Sequence, residues 1–309
     1  MKRPVIIDCD PGTDDTIALV MALAAEELDV KAVTTVAGNQ TADKTARNGL
    51  KIVSYLKKQI PVARGAEKPI LRPLVTAEHA HGVTGLGPVV LPDPDIQGLE
   101  TKAWDLFHEL TVAKSKTVHL ITLGPLSNVA IALMKYPDLQ TGIDAITMMG
   151  GSAGYGNDTP AAEYNIYADP EAARIVFESG IPITMVGLDC THQAWLTEEE
   201  IRAMASRPGT GAALAREMML YIYDFATRYG FPGAVMHDPS AVAAVIQPDL
   251  IKTKPYYVAV ETKGKVTTGK TVVDVMNVTR NKPNVNVALH IDRLRFAQLV
   301  KRLLSTYEN

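Results

Sequence analysis

Cysteine is scarce in this chain of 309 residues: Cys9 and Cys190 are the only two, too few for a disulfide framework. Each lies in an apolar-rich stretch, which predicts buried free thiols in a reducing compartment and not a redox pair. An excess of charge is also missing. With 31 Lys and Arg against 34 Asp and Glu the net charge is −3, so there is no electrostatic footprint for nucleic acid or an anionic membrane. Long apolar runs are absent, since Ile17–Ala25 falls far short of the roughly 20 residues that span a bilayer. The start of the chain offers no signal-peptide core, because Met1–Pro4 leads at once into Val5-Ile6-Ile7-Asp8 and a second acid follows at Asp10. These absences predict a cytoplasmic protein without a membrane or nucleic-acid partner. No linker rich in Pro, Gly or Ser and no internal repeat divides the sequence, so residues 1–309 read as one domain with insertions.

What is present alternates. Pro4–Asp10, Val30–Val36, Ile60–Ala63, Thr117–Leu123, Ala145–Met149 and Ile181–Leu188 are compact apolar segments of the kind found in buried parallel strands. Between them Asp14–Glu26, Ala42–Lys58, Lys102–Ala113, Leu126–Met134 and Pro170–Ser179 have helical spacing. Asp169-Pro170-Glu171 is a helix start with a cap, a first-turn proline and an acid at the positive end of the dipole. The fold class is therefore α/β, an open and mostly parallel central sheet flanked by helices on both faces. Towards the C-terminus a long helix, Gly211–Arg228, precedes a loop, Gly230–Asp238, and a helix beginning near Pro239. Tyr256–Glu261 and Thr271–Met276 then predict a small antiparallel excursion, before a strand at Asn284–Ile291 and a closing helix at Asp292–Leu304.

The first strand runs into Asp8-Cys9-Asp10-Pro11-Gly12-Thr13-Asp14-Asp15. Four carboxylates in eight residues need a compensating charge, and the carboxyl end of a strand in an open α/β sheet is where ligands bind. Gly12 permits a tight turn that lets Asp10 and Asp15 face one point. Hard oxygen donors converging there suit Ca²⁺ or Mg²⁺, and no nearby Cys/His pair points to a structural zinc. The plainer alternative is a capped helix with solvated acids. Further strand ends carry amides and glycines: Val36-Ala37-Gly38-Asn39, Leu123-Gly124-Pro125-Leu126-Ser127-Asn128, and Met149-Gly150-Gly151 leading to Asn157 and Glu163-Tyr164-Asn165. A glycine-flanked histidine loop, His81–Leu86, is a fourth such segment. Each is ordinary turn chemistry alone; together they place hydrogen-bonding groups on one rim, where a polyhydroxylated ligand would sit.

Asp8–Asp15 with Met149-Gly150-Gly151, Glu163–Asn165 and His237-Asp238-Pro239 resembles the inosine–uridine-preferring nucleoside hydrolase family, from the first strand to the final helix. The resemblance implies a Ca²⁺-dependent hydrolase that splits the N-glycosidic bond of ribonucleosides into base and ribose. It implies metal ligation by Asp10, Asp15, Asp238 and the backbone carbonyl of Leu123. Asp10 and His237 become the catalytic pair, as proton acceptor from water and proton donor to the leaving base. Asp14, Asn39, Met149, Asn157, Glu163 and Asn165 would surround the ribose, with His81 and Tyr229 towards the base and able to share the protonation. A homo-oligomer, dimer or tetramer, is a further implication, and the preferred base stays open, the pyrimidine-preferring branch included. Cys9 points away from the acids by strand alternation. His108, His119 and His290 read as structural, while His79 competes with His81 and the role of His192 is open.

Two rival classes remain. Asp8-Cys9-Asp10 also begins like a haloacid dehalogenase-type phosphatase, but Gly12 and the Asp14-Asp15 pair do not fit that pattern. A non-catalytic nucleoside or sugar sensor needs a transmitting domain that no segment supplies. Gly264-Lys265-Val266-Thr267-Thr268-Gly269-Lys270-Thr271 matches the phosphate-binding P-loop pattern. The β-branched Thr271–Val275 after it predicts a strand where such a loop needs a helix N-terminus. The glycosylation patterns at Asn39 and Asn277 lack a secretory route.

Overall fold

The structure is a computed structural model that describes residues 2–204 and 207–307. Six parallel strands come first: Arg3–Cys9 (β1), Leu28–Thr35 (β2), Val62–Arg64 (β3), Val118–Thr122 (β4), Ile143–Met149 (β5) and Ile183–Val186 (β6). The chain then forms a two-residue pair, Trp195–Leu196 (β7) with Ala234–Val235 (β8), the strand Ile251–Tyr256 (β9), a ribbon of Val258–Val260 (β10) and Thr271–Val273 (β11), and finally Val285–Ile291 (β12). The central sheet has the order β3-β2-β1-β4-β5-β6-β12-β9, antiparallel only between β12 and β9.

β1 shows why the sheet needs helices on both faces. Val5, Ile7 and Cys9 enter one core with the helix Thr13–Ala24, whereas Ile6 enters the other with Leu120, Leu126 and Val129. The helix after β1 is buried from Thr13 to Leu23, so its apolar residues need no single stripe. Cys9 and Cys190 are both buried and free.

The expected mostly parallel α/β sheet and the antiparallel excursion are both present. β9 is an addition: Lys252, Lys254 and Pro255 hide it from an apolar pattern, yet they suit an exposed edge strand. The stretch expected as a loop from Gly230 to Asp238 contains β8 and is cut short, because the next helix spans His237–Ile246 and not Pro239 onward. Pro239 is accommodated inside its first turn, where no backbone N–H is required. The P-loop-like run is the connection between β10 and β11, so a strand follows it. Among the described residues no helix is long and apolar enough to cross a membrane.

The sheet order reverses at β1, whose parallel neighbours are β2 and β4. The carboxyl ends of β1 and β4 flank a topological switch point, the ligand crevice of open α/β sheets.

Candidate active site

Four carboxylates gather at that crevice. Asp14, Asp15 and Asp238 each bring an oxygen within 4.8 Å of the others. Asp15 is fixed by three donors, the backbone N–H groups of Asp10 (3.1 Å) and Gly12 (2.9 Å) and Nδ2 of Asn39 (2.9 Å). Asp10 accepts the backbone N–H of Asn39 at Oδ2 (2.6 Å), while its buried Oδ1 has no hydrogen-bond partner among the described residues. Asp8 does not join this group; Thr34 and Asn128 donate to its Oδ1 (2.6 and 2.7 Å). Glycine makes the room Asp10 needs. A Cβ at Gly38 or Gly124 would overlap its carboxylate, so these two turn glycines have a steric reason to be glycine.

Among the described residues no cationic side chain lines the crevice to balance these acids. Burial, reinforced by Asp14, pushes the Asp15 carboxyl up to about 7. Burial drives Asp10 and Asp238 well above the usual carboxylate range, with repulsion from Asp15 and from Asp14 respectively adding to it. The acids open onto a cavity of about 370 Å³, within the range of small-molecule sites. Among the described residues no lysine or arginine lines it. Converging buried carboxylates, an orphaned carboxylate oxygen and the nearby Leu123 carbonyl make an oxygen-only donor set, which fits a hard divalent cation.

Polar groups from other strand ends surround the acids. Asn165 donates Nδ2 to the Leu123 carbonyl (2.8 Å) and the Met149 carbonyl (3.2 Å), tying the ends of β4 and β5 together. Glu163 caps the helix Tyr164–Ala168, accepting from the backbone of Asn165 and Ile166, and also takes the N–H of Gly151 (2.8 Å). Its burial pushes its carboxyl up to about 7. Asn157 accepts the N–H of Tyr164 (3.0 Å). His81 accepts the N–H of Thr13 at Nδ1 (3.1 Å), which places the proton of the neutral ring on Nε2, and lies 3.9 Å from Asp14. His237 Nδ1 lies 2.9 Å from the Thr191 hydroxyl. Burial lowers the pKa of both histidines, and Asp14 works against that shift in each.

The structure thus brings the singled-out residues to one place. Asp14, Asn39, His81, Leu123, Met149, Asn157, Glu163, Asn165, Tyr229, His237 and Asp238 line the cavity, and Asp10 and Asp15 are buried beneath it. Asp14 sits inside the acid trio with Asp15 and Asp238, while Asp10, whose N–H bonds Asp15, is not one of the three. Both His79 and His81 line the cavity, but only His81 holds Thr13. His192 lines it too, packing against Tyr155, Phe231 and His237. Tyr155, Phe225 and Phe231 carry no signal of their own in the sequence. Tyr155 stands between two glycines on a loop, and Phe225 lies one turn from Tyr221, the spacings that mark them once a cavity is known. His108 stacks on Tyr136, His119 meets Thr147 (2.8 Å) and His290 meets Gln193 (2.6 Å), all as structural residues.

Comparison with known proteins gives consistent matches. The profile of the family described as inosine-uridine preferring nucleoside hydrolase matches residues 5–298. The pyrimidine-specific ribonucleoside hydrolase RihA of Salmonella schwarzengrund (strain CVM19633) is 45% identical over 99% of this chain and 100% of its own length. The protein of that name from Shewanella sp. (strain MR-7) is 46% identical over 99% and 98%. Among solved structures a plant nucleoside hydrolase superposes with a TM-score of 0.91 at 31% identity, covering 98% of this chain and 99% of its own. A purine-preferring ribonucleoside hydrolase from Gardnerella vaginalis gives 0.90 at 30% identity, over 99% of both chains.

Proposed function

Because the chain belongs to the inosine-uridine preferring nucleoside hydrolase family and is a nucleoside N-ribohydrolase, we propose that it cleaves pyrimidine ribonucleosides to free base and ribose with one bound Ca²⁺. The observation that carries the metal is the buried, partnerless Oδ1 of Asp10 beside three further carboxylates in a lining without lysine or arginine. Asp10, Asp15, Asp238 and the Leu123 carbonyl would hold the ion. Bound there, such an ion would offset the acids and supply Lewis acidity to a water and to the sugar hydroxyls. The pyrimidine preference rests on the names of relatives 45% and 46% identical to this chain.

The chain's own groups divide the work. Asp10 takes the proton of the attacking water: among the described residues no group donates to its Oδ1, which would serve the ion and the water together. Asp14, Asn39, Asn157, Glu163 and Asn165 pair with the ribose hydroxyls and fix the sugar for in-line attack. Met149 closes the wall beneath the sugar. Negative charge around the ribosyl ring favours the positive charge that develops as the glycosidic bond breaks. His237 hands a proton to the departing base, with Asp14 favouring the protonated ring against the effect of burial. His81 and Tyr229 stand towards the base.

The acid-rich lining without a cationic side chain disfavours a phosphomonoester as substrate, and with it the phosphatase alternative. A homo-oligomer and a cytoplasmic location belong to the same proposal. The direct test is a panel of uridine, cytidine, inosine and adenosine assayed for ribose release. Faster release from the two pyrimidine nucleosides is expected. Faster release from the purines would overturn the base assignment, and no release from any would overturn the reaction.

A further inference from the structure

The chain from Gly150 to Glu163 connects β5 to the helix Tyr164–Ala168 and brings Tyr155, Gly156, Asn157 and Asp158 to the cavity. Gly150 and Gly151 still bond to the backbone of Val186 and Leu188, but the next three residues have no such ladder. Among the described residues the backbone of Ser152, Ala153 and Gly154 makes no hydrogen bond to other backbone.

Side chains from two distant segments take its place. Asp189 accepts the N–H groups of Ala153 (2.7 Å) and Gly154 (3.1 Å) through separate carboxylate oxygens. Thr271 accepts the Ser152 N–H (2.8 Å) and donates its hydroxyl to the Ser152 carbonyl (2.7 Å). Lys270 donates Nζ to the Ser152 carbonyl (3.2 Å) and to the Gly154 carbonyl. Three side chains thus occupy every polar backbone atom from Ser152 to Gly154 except the Ala153 carbonyl. Thr271 is buried, so its contacts do not compete with solvent.

Lys270 and Thr271 are the last two residues of the P-loop-like run, whose ribbon position leaves it without a nucleotide to bind. Directly beyond the held tripeptide comes Tyr155. Its hydroxyl lies 3.2 Å from His192 Nδ1 and its ring stacks on that histidine, 5.8 Å between centroids. Asn157 follows two residues later. A tripeptide with five satisfied backbone atoms can pass its position on to both side chains; a loose one cannot.

We propose that Lys270, Thr271 and Asp189 are positioning residues of the hydrolase, clamping Ser152–Gly154 so that Tyr155 and Asn157 meet the nucleoside at the cavity mouth. The part about the nucleoside rests on the cavity reading above; the clamp itself does not.

Two readouts separate them. Chymotryptic cleavage after Tyr155, followed well below the unfolding temperature, reports the clamp without any substrate. Steady-state kcat and KM for uridine report what the clamp does for binding. Lys270→Met is expected to speed cleavage and to raise KM roughly tenfold or more, since two charge-assisted hydrogen bonds to the tripeptide are lost, with kcat within about twofold. Thr271→Val, which removes two hydrogen bonds without touching Lys270, is expected to act in the same direction, so the test survives poor folding of either variant. Lys270→Arg and Thr271→Ser keep the donors and should restore both readouts. In a Tyr155→Ala/Asn157→Ala background Lys270→Met should leave KM unmoved, since the groups it positions are gone. An unchanged cleavage rate in both Lys270→Met and Thr271→Val would overturn the clamp. Faster cleavage with an unchanged KM, together with an unchanged KM in the Tyr155→Ala/Asn157→Ala protein itself, would instead overturn the contact of this loop with substrate.

Discussion

Replacing Asp10 by asparagine should make the ion-free protein more stable while it destroys catalysis. Asp10 is fully buried, one oxygen held by Asn39 and the other by nothing, with Asp14 and Asp15 repelling its charge. Its pKa in the fold therefore lies above its unfolded value. A carboxyl of this kind binds a proton more readily in the fold than in the unfolded chain, so the ion-free wild type loses stability as pH rises. The loss is up to about 1.4 kcal/mol per pH unit for one group, until the folded pKa is passed. An asparagine side chain at this position keeps an acceptor for the Asn39 N–H and cannot ionise. The advantage of Asp10→Asn should thus grow with pH, by up to about 3 kcal/mol between pH 5 and pH 7. Urea unfolding in a chelator at both pH values measures it. With Ca²⁺ at about 100 times its Kd the wild type should gain roughly 2.7 kcal/mol, the variant much less, so that the order narrows or inverts. A variant less stable than wild type in chelator at pH 7, or an equal gain from Ca²⁺ in both, would refute the picture of a buried charge awaiting a cation.

Gly124→Ala should push its new Cβ into the Asp10 carboxylate, costing about 1–3 kcal/mol of stability and at least tenfold in kcat/KM; unfolding and kinetics that match wild type would show that the glycine is not needed for clearance. His237→Ala should slow uridine hydrolysis far more than that of p-nitrophenyl riboside, whose leaving group needs no proton. Calorimetry should find its Ca²⁺ affinity nearly intact, and equal losses on both substrates would point to lost positioning. 2′-Deoxyuridine should turn over at least about a hundredfold more slowly than uridine, because the polar groups meant for the missing hydroxyl are left unpaired. Equal rates would remove the ribose roles given to Asp14, Glu163 and Asn165.

Much of the fold can be read in the chain because its central strands are buried on both faces and therefore continuously apolar, as in Val5-Ile6-Ile7. β9 cannot, since an exposed edge carrying two lysines and a proline has no apolar signature. The helix at His237 starts two residues earlier than the sequence suggests, because Pro239 reads as a first helical position and in fact occupies the third. The acids of the site are legible from their density after a buried strand, a costly arrangement without a ligand. Gly38 and Gly124 are not, because a turn glycine and a glycine that clears a carboxylate look the same until Asp10 is placed beside them. Tyr155 and Phe231 are hidden for a similar reason. Their partner, His192, lies in another part of the chain, and only the folded sheet brings the three together.

Turnover by this hydrolase should depend, as proposed, on a divalent ion held by Asp10, Asp15 and Asp238. The most direct measurement is ribose release from uridine by protein stripped with a chelator, its residual metal quantified, and then titrated with Ca²⁺. Loss of turnover on stripping and recovery at one equivalent of bound ion is the predicted result. Full turnover by a demonstrably metal-free preparation would contradict it.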